Sequence, residues 1–369
     1  MKNTKLTVHT KNKSYPIYFG KENLSKIGKL VGENLPGVKK VCIISDKKLP
    51  TTILKKIYRS LKKYNLIIYK MATSEKIKNL NNANNIIENL LKNNFNRSDC
   101  VIALGGGVIG DLSAFVSSLT KRGLKFVNVP TTLLAQVDAS IGGKTGINSH
   151  QGKNLIGTFY HPDFVLMDTS VLKSLPKREM ICGYGEILKH SLILDKKFFL
   201  WLYKNAEKLI NKNDKILKSA IIKSCKIKSK IIKLDEKENE LRMVLNFGHT
   251  FAHGFEGAKN FSKNLNHGEA VLLGMMVASD FSASKKILAT KDYNLIKKHY
   301  INLNLPMKIN NFFKKKEVKK ITYFIKKDKK NLTKKINLIL IKEIGKTTKP
   351  KSQYTDPRII KKFLESYFN

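Results

Sequence analysis

Cysteine, arginine and long apolar runs are all scarce in this chain of 369 residues. The four cysteines are scattered and form no CxxC pair, which fits free thiols in a reducing cytoplasm. No run approaches the roughly 20 apolar residues that a membrane span needs. The first residues also lack the continuous apolar core of a secretory signal. We therefore expect a cytoplasmic protein that does not enter a membrane.

Acidic residues are scarce as well, because 28 Asp and Glu face 70 Lys and Arg and leave a formal charge of +42. Such a charge would suit a nucleic-acid-binding protein, since clustered cations neutralise phosphates. Only six of the basic residues are arginine, however, and phosphate recognition usually favours the bidentate guanidinium. The lysines are spread over predicted helix faces. We expect solvated lysine faces and no nucleic-acid partner, and we keep a cationic nucleic-acid-binding protein as an alternative.

The order of apolar runs predicts two domains. Strands are predicted at 39–46, 65–71, 99–104, 125–130 and 163–168, with amphipathic helices at 49–63 and 74–94. This alternation indicates an α/β domain with a Rossmann-like, mostly parallel sheet over residues 1–175. Long amphipathic segments then predict a mainly α-helical domain over 176–369, with one late strand at 335–345.

Gly105 to Asp111 form a glycine-rich turn, GGGVIGD, after a predicted strand and before a predicted helix. Glycines there let the backbone approach a pyrophosphate at the helix N-terminus. A plain tight turn stays open, because the strand is not the first and no acidic residue follows about 20 positions later. Asp46 ends an earlier strand, where it suits either a ribose hydroxyl or a helix cap.

A second group combines imidazoles with a carboxylate: Glu186, His249, His253 and His267. His249 and His253 are four residues apart and share one helix face. Three protein ligands of this kind are typical of a catalytic zinc ion, because they leave a position for substrate or water. A single histidine is more often a structural residue. The group as a whole predicts a metal site.

A third group is cationic and polar: Arg122, Lys144, Lys153, Asn154, Lys189, Lys228, Arg242 and Asn246. Most lysines of so basic a chain are expected to be solvated. Lys144 and Lys153 differ, since glycine-bounded loops (GGKTG and QGKN) hold them beside the Thr131–Thr132 strand end. Ligands of such sheets bind at the carboxyl ends of the strands.

These motifs together resemble the 3-dehydroquinate synthase family of sugar-phosphate cyclases. The matching segments span roughly residues 40 to 345: GGGVIGD, KRG, VPTTLLAQVDASIGGKTGIN, GKNLIGTFY, LPKREMICGYGEILKH, DEKENELRMVLNFGHTFAH, NHGEAV and DKKN. One departure is Ser74, which stands where the family usually has glycine before Glu75.

The resemblance implies a role for each matched residue. It implies that zinc or cobalt binds Glu186, His249 and His267. It implies that NAD+ contacts Asp46, Glu75, Lys78, Gly106, Gly107, Val108, Ile109, Gly110, Asp111, Thr131, Thr132, Leu172 and Ser174, and also Lys144 and Lys153. It implies that the substrate contacts Asp138, Lys144, Lys153, Asn154, Lys189, Lys228, Arg242, Asn246, His253 and one of Lys329 and Lys330.

The implied activity is that of a lyase of the shikimate pathway. 3-Deoxy-D-arabino-heptulosonate 7-phosphate would be oxidised transiently by NAD+, lose phosphate, be reduced again, open and close by an aldol step to 3-dehydroquinate. The resemblance also implies a homodimer in which Arg122 reaches the neighbouring subunit's site. The alternatives are a metal- and NAD-dependent polyol dehydrogenase and a cyclase acting on another sugar phosphate.

Overall fold

The computed structural model describes residues 4–262, 264–327 and 335–369, which form two compact units. The first unit comprises Met1–Pro176 and Leu217–Glu236, and the second comprises Lys177–Ile216 and Lys237–Asn369. The chain therefore leaves the first unit after Pro176, returns to it for one helix, and leaves again. No helix among the described residues is long and apolar enough to cross a bilayer.

The first unit is built on a seven-stranded sheet with the order β1-β2-β9-β6-β5-β3-β4. Only the β1–β2 pair is antiparallel, so the predicted Rossmann-like, mostly parallel sheet is confirmed. Its strands are β1 Thr4–His9, β2 Ser14–Gly20, β3 Lys40–Asp46, β4 Asn65–Met71, β5 Cys100–Gly105, β6 Lys125–Pro130 and β9 Phe164–Asp168. A separate hairpin pairs β7 Ile147–Ser149 with β8 Gly152–Ile156. The helices are α1 Ile27–Asn34, α2 Thr51–Ser60, α3 Leu80–Lys92, α4 Gly107–Leu119 and α7 Asp214–Leu234.

Burial explains which strands the sequence revealed. Strand β5 is buried at every position, as expected for a central strand that is apolar on both faces. All five predicted strands are present within one residue of their predicted bounds. The β1–β2 hairpin was not predicted, because β1 has a single buried residue and no apolar run. Its pairing with β9 through β2 stabilises it instead.

The side of the sheet on which the chain adds successive strands changes between β3 and β5, although the strands stay parallel. The chain adds β4 on one side of β3 and then places β5 on the other side, followed by β6 and β9. In open α/β sheets, ligands bind outside the carboxyl ends of the strands at such a switch point. Asp46 ends β3, and the glycine turn follows β5, so both lie at this position.

The second unit is mainly helical, as predicted. Its helices are α5 Lys177–Leu194, α6 Lys196–Ile210, α8 His249–Ala258, α9 His267–Ser284, α10 Thr290–Asn302, α11 Val318–Lys326 and α12 Pro357–Glu365. The single strand predicted at 335–345 is wrong in detail. That segment forms two short strands with different partners: β10 Ile336–Asn337 pairs with β13 Tyr354–Thr355, and β11 Ile341–Glu343 pairs with β12 Lys346–Thr347.

Close packing of α8 on α9 depends on small residues. A Cβ added at Gly274 of α9 would lie 2.2 Å from the carbonyl oxygen of Gly248, which precedes α8. A side chain is therefore excluded at Gly274, and the two backbones approach closely. This approach brings the first residues of α8 and α9, His249 and His267, near each other.

Candidate active site

The predicted cofactor residues of the first unit follow the carboxyl ends of five neighbouring parallel strands. Asp46 ends β3, and Glu75 and Lys78 follow β4. The turn Gly106–Asp111 follows β5, Thr131 and Thr132 follow β6, and Leu172 and Ser174 lie in the 3-10 turn Thr169–Ser174 after β9. The topology therefore collects residues that are up to 128 positions apart in the sequence along one edge of the sheet.

The glycine turn leaves little room for side chains. A Cβ added at Gly106 would lie 3.1 Å from Thr132 Cγ2, and one at Gly110 would lie 3.3 Å from Asn128 Nδ2 of β6. Helix α4 thus begins against the sheet with its first backbone N–H groups accessible from the strand ends. These groups carry the positive end of the helix dipole, which favours an anion. The turn fits a dinucleotide.

Asp46 caps its own turn, because its Oδ1 accepts a hydrogen bond of 2.9 Å from the N–H of Lys48. The cap and a contact with a ribose are compatible, since a carboxylate has two oxygens with several acceptor sites. Asp46 is not the helix cap that the sequence left open, since the N-cap of α2 is Pro50, and its contact with a ribose stays a prediction.

Lys78 joins predicted cofactor and substrate residues. Its side chain is 3% exposed, and its Nζ lies 2.7 Å from Asp111 Oδ2 and 2.6 Å from Asn154 Oδ1. Burial raises the pKa of Asp111, and the neighbouring ammonium of Lys78 opposes that effect. Lys78 thereby fixes Asn154, which adopts a left-handed backbone conformation (φ 54°) in β8.

The predicted substrate residues Asp138 and Lys228 meet within the first unit. Asp138 lies in a π-helical turn, Ala135–Ala139, after β6, and Lys228 lies on α7. Lys228 Nζ donates to Asp138 Oδ1 and to the Asp138 carbonyl, both at 2.6 Å. Helix α7 is docked further by a 2.7 Å hydrogen bond between Glu236 and His161.

The remaining predicted cations of the first unit lie at separate positions. Lys144 is exposed after two glycines with positive φ, and it pairs with Phe159 in an isolated bridge. Lys153 is half-buried on β8, next to Asn154. Arg122 is exposed in the turn between α4 and β6, which is the opposite end of the sheet from the strand ends above.

In the second unit, the three predicted metal ligands converge. One ligand atom from each of Glu186, His249 and His267 lies within 4.8 Å of the other two. The ring centroids of His249 and His267 are 5.5 Å apart. Helix α5 supplies the carboxylate, while α8 and α9 each supply an imidazole at their first residue.

The carboxylate of Glu186 is completely buried. Lys189, one turn later on α5, forms an ion pair with it. Neither carboxylate oxygen accepts a well-formed hydrogen bond from the described part of the chain. A buried anion without hydrogen bonds is costly. A divalent cation held by this oxygen and two imidazoles would remove that cost, so the residues fit a zinc-type ion.

Glu256 is a member of this site that the sequence analysis missed. Its Oε2 lies 3.2 Å from His267 Nδ1, and its side chain is 8% exposed. A carboxylate on one ring nitrogen orients the other nitrogen toward a metal. The sequence feature that could have revealed Glu256 was its position seven residues after His249, which places both on one face of α8.

Arg178 and Glu269 were also missed. Glu269 closes the capping box of α9, and its carboxylate pairs with Arg178 of α5 through two 2.6 Å hydrogen bonds.

The other predicted residues of this unit lie close to the same helices. His253 stacks edge-on against His249 at a centroid distance of 5.7 Å. Arg242 is buried in the 3-10 turn Leu241–Asn246, which leads into α8. Asn246 Nδ2 donates a hydrogen bond of 2.6 Å to Oε1 of Glu238, which is another residue that was not predicted. Lys329 and its alternative Lys330 lie outside the described residues.

Family models match most of the chain in two consecutive segments. Residues 68–182 match the N-terminal domain of 3-dehydroquinate synthase, and residues 183–331 match its C-terminal domain. A 3-dehydroquinate synthase of Pelagibacter ubique is 52% identical over 341 residues, covering 92% of this chain and 93% of the relative. The chain belongs to the 3-dehydroquinate synthase family. Another family member, from Thermodesulfovibrio yellowstonii, is 39% identical over 351 residues, covering 93% and 94%.

Solved structures of related cyclases share the family fold. A 2-deoxy-scyllo-inosose synthase complexed with carbaglucose-6-phosphate, NAD+ and Co2+ superimposes with a TM-score of 0.86 at 24% identity, covering 98% of this chain and 100% of that one. ValA, a 2-epi-5-epi-valiolone synthase of Streptomyces hygroscopicus with NAD+ and Zn2+ bound, superimposes with a TM-score of 0.85 at 22% identity. The match covers 97% of this chain and 98% of that one. A glycerol dehydrogenase of Schizosaccharomyces pombe superimposes with a TM-score of 0.69 at 16% identity, covering 95% of this chain and 88% of that one.

Proposed function

We propose that this chain converts 3-deoxy-D-arabino-heptulosonate 7-phosphate into 3-dehydroquinate and inorganic phosphate, as its family does. The observation that carries the proposal is the convergence of Glu186, His249 and His267, with a buried carboxylate that pairs with Lys189 but accepts no well-formed hydrogen bond from the residues that the structure describes. A lyase of this kind needs one divalent ion, zinc or cobalt, and one NAD+ that is regenerated in each cycle. When bound, the ion acidifies the hydroxyl to be oxidised, and NAD+ accepts and returns one hydride.

The first unit is proposed to hold the dinucleotide. The residues involved are those at the strand ends, from Asp46 and the glycine turn to Leu172 and Ser174. The N–H groups at the start of α4 would receive the pyrophosphate, because a helix N-terminus favours negative charge. Glu75, Lys78 and Asp111 form one connected group beside this turn.

Cationic and polar side chains are proposed to hold the substrate's carboxylate and phosphate. These are Lys144, Lys153, Asn154, Lys189, Lys228, Arg242, Asn246, His253 and Lys329. A hydrogen bond to a charged group contributes about 1.5–3 kcal/mol. Two anionic groups on one substrate therefore explain why so many cations are needed. Asp138 is proposed to contact substrate hydroxyls while Lys228 neutralises its charge at 2.6 Å.

The domain assignment follows from the same proposal. Residues 1–175 would form the NAD-binding domain, and residues 176–369 the metal- and substrate-binding domain. Lys228 of α7 would act on the substrate from a helix that packs with the first unit.

A homodimer is proposed in which Arg122 serves the neighbouring subunit. Helix α4 has 13 residues and separates Arg122 from its own glycine turn by about 20 Å. Apolar side chains are exposed beside Arg122: Leu119, which ends α4, is 46% exposed, and Phe159 is 43% exposed. A hydrogen bond between Ser118 and Thr158 holds these two segments together. A second copy of the chain would cover this apolar surface.

The Arg122 proposal predicts a kinetic defect in every active site of the dimer. We expect Arg122→Ala to raise the KM for substrate by roughly tenfold or more, since one charged contact is lost. Mixing Arg122→Ala with a metal-site variant such as His249→Ala should restore part of the activity, because one site of the mixed dimer is then complete. Unchanged kinetics would exclude a contribution across subunits.

We further propose that the protein acts in the cytoplasm. All four cysteines are buried free thiols, and burial raises the pKa of Cys42 and of Cys182 to about 12. The 3-dehydroquinate synthases of Pelagibacter ubique and Thermodesulfovibrio yellowstonii named above are biosynthetic enzymes.

The direct test is release of inorganic phosphate from the heptulosonate phosphate by purified protein with NAD+ and zinc. We expect turnover that a chelator abolishes and that added zinc or cobalt restores. No net NADH should accumulate. A polyol dehydrogenase would instead release NADH stoichiometrically, and a cyclase for another sugar phosphate would prefer sedoheptulose 7-phosphate or glucose 6-phosphate. Either result would overturn the proposal.

A further inference from the structure

Asn148 connects two segments of the first unit that carry different proposed ligands. It lies on β7, in the hairpin whose second strand carries Lys153 and Asn154. Its side-chain Nδ2 donates 3.0 Å hydrogen bonds to both the carbonyl oxygen and Oε1 of Glu75. Its backbone N–H donates to the carbonyl oxygen of Lys78 at 2.6 Å. All three of these hydrogen bonds of Asn148 therefore leave its own hairpin.

The fourth bond points back to the substrate side. Asn148 Oδ1 accepts a 3.0 Å hydrogen bond from the N–H of Asn154. Lys78 closes a ring, because its Nζ reaches Asn154 Oδ1 at 2.6 Å as well as Asp111. The amide of Asn148 thus has one end on the proposed cofactor segment and the other on the proposed substrate residue.

The second strand of the hairpin is exposed at this end. Asn154, Leu155 and Ile156 of β8 are all exposed, so apolar packing contributes little to their position. Asn154 also holds a left-handed conformation that non-glycine residues adopt at a cost. Two hydrogen bonds oppose this strain: the N–H of Asn154 donates to Asn148 Oδ1, and Lys78 Nζ donates to Asn154 Oδ1. Any ligand that orders Glu75 and Lys78 will therefore also order Asn154.

We propose that Asn148 is a positioning residue that couples dinucleotide binding to substrate binding. This inference rests on the proposed function, since it takes Glu75 and Lys78 as cofactor residues and Lys153 and Asn154 as substrate residues. Occupation of the dinucleotide site fixes the 75–78 segment, and Asn148 transmits that order to the hairpin. Substrate then binds more tightly to the dinucleotide complex than to the free protein. The coupling is reciprocal, because two linked binding equilibria share one coupling free energy.

The test measures binding without turnover. Zinc-loaded protein is titrated with the heptulosonate phosphate by calorimetry, with and without saturating ADP-ribose, which has the pyrophosphate but no nicotinamide to accept a hydride. We expect ADP-ribose to tighten substrate binding by roughly tenfold in the unmodified protein. In Asn148→Ala, this ratio should fall to about one.

Two further variants make the result specific. Ser149→Ala is the matched control on the same hairpin, because Ser149 Oγ only accepts a local 3.1 Å hydrogen bond from the N–H of Gln151. It should keep the full ratio. Asn148→Asp keeps the size and the acceptor for Asn154 but removes the donor to Glu75, so it should lose the coupling even if the alanine variant does not fold.

Three results would overturn the inference: a ratio of one in the unmodified protein, an undiminished ratio in the folded Asn148 variants, or an equal loss in Ser149→Ala. A protein that also fails to release phosphate from the heptulosonate phosphate would refute the proposed function itself. Normal phosphate release with an unaffected ratio would refute only the role of Asn148.

Discussion

The two units build their candidate sites in different ways. In the first unit, the residues lie at the ends of strands and in the turns that follow them, so the sheet order determines which of them are neighbours. In the second unit, three helices contribute one side chain each, and only their packing brings Glu186, His249 and His267 together. The first site depends mainly on the geometry of the backbone in turns. The second depends mainly on three side chains that converge around the buried carboxylate of Glu186.

This difference indicates what each unit tolerates. A turn that uses backbone N–H groups is sensitive to added bulk and insensitive to the loss of any one side chain. A site of three side-chain ligands is sensitive to every deletion, because the ion loses one of its ligands and the buried Glu186 carboxylate needs a cationic partner. Substitutions in one unit should therefore leave the ligand of the other unit bound.

The largest effect is expected from the metal ligands. His249→Ala or Glu186→Gln should abolish metal retention and lower turnover by roughly a thousandfold or more, since hydroxyl acidification is lost. NAD+ affinity should stay close to that of the unmodified protein. Metal analysis after dialysis, turnover and NAD+ titration measure the three quantities. A fully active variant with one bound zinc per chain would show that these residues are not the ligands.

A smaller effect is expected from bulk in the glycine turn. Gly106→Val adds a side chain whose Cβ would lie 3.1 Å from Thr132. Overpacking costs about 1–3 kcal/mol, so NAD+ should bind roughly 10- to 100-fold more weakly. Zinc content should be unaffected. If Gly106→Val lost its metal and kept its NAD+, the contrast between the units would be wrong.

Glu256 separates the role of a ligand from that of its support. In Glu256→Gln the side chain keeps its size but no longer supplies a carboxylate to His267 Nδ1. Loss of such a partner typically lowers metal affinity by about 10–100-fold. Competition with a chelator measures that affinity, and the visible spectrum of the cobalt form reports ligand geometry. An identical affinity and an identical spectrum would leave Glu256 without a role in orienting His267.

The last effect concerns the stability of the second unit and leaves its ligand binding unchanged. His299 is buried, bonds to the Tyr184 hydroxyl, and has its pKa lowered by burial to about 4. In the unfolded chain, His299 binds a proton once the pH falls below about 6.5, whereas in the folded chain it does so only near pH 4. The free energy of unfolding should therefore fall by up to about 3 kcal/mol as the pH is lowered from 6.5 to 4. Urea unfolding should show a flatter pH profile in His299→Gln, and an unchanged profile would exclude His299 as the cause.

The sequence predicted the first unit in more detail than the second. Buried parallel strands have uninterrupted apolar runs, so β3, β4, β5, β6 and β9 were found within one residue of their bounds. The β1–β2 hairpin was missed because β1 is a half-exposed edge strand and β2 has no continuous apolar run, so both depend on tertiary pairing. The division of 335–345 between β10 and β11 was missed because periodicity does not reveal that a run changes partner.

Side-chain contacts were predictable only where a motif implied them. The helix spacing of His249 and His253 and the family motifs indicated the metal group. Glu256, Glu238 and Asn148 were not predicted, because each acts through hydrogen bonds that form only in the folded chain. Carboxylates and amides of this kind are common on any surface, and only three-dimensional packing shows which of them has a partner.

The path of the polypeptide through the two units has a practical consequence for protein engineering. Because Leu217–Glu236 returns to the first unit, a fragment ending at Pro176 lacks the Lys228–Asp138 ion pair and the Glu236–His161 hydrogen bond. Simple truncation cannot therefore yield a complete first unit. Chimaeras that exchange halves between homologous enzymes need a transplanted α7 as well, spliced in at two additional junctions.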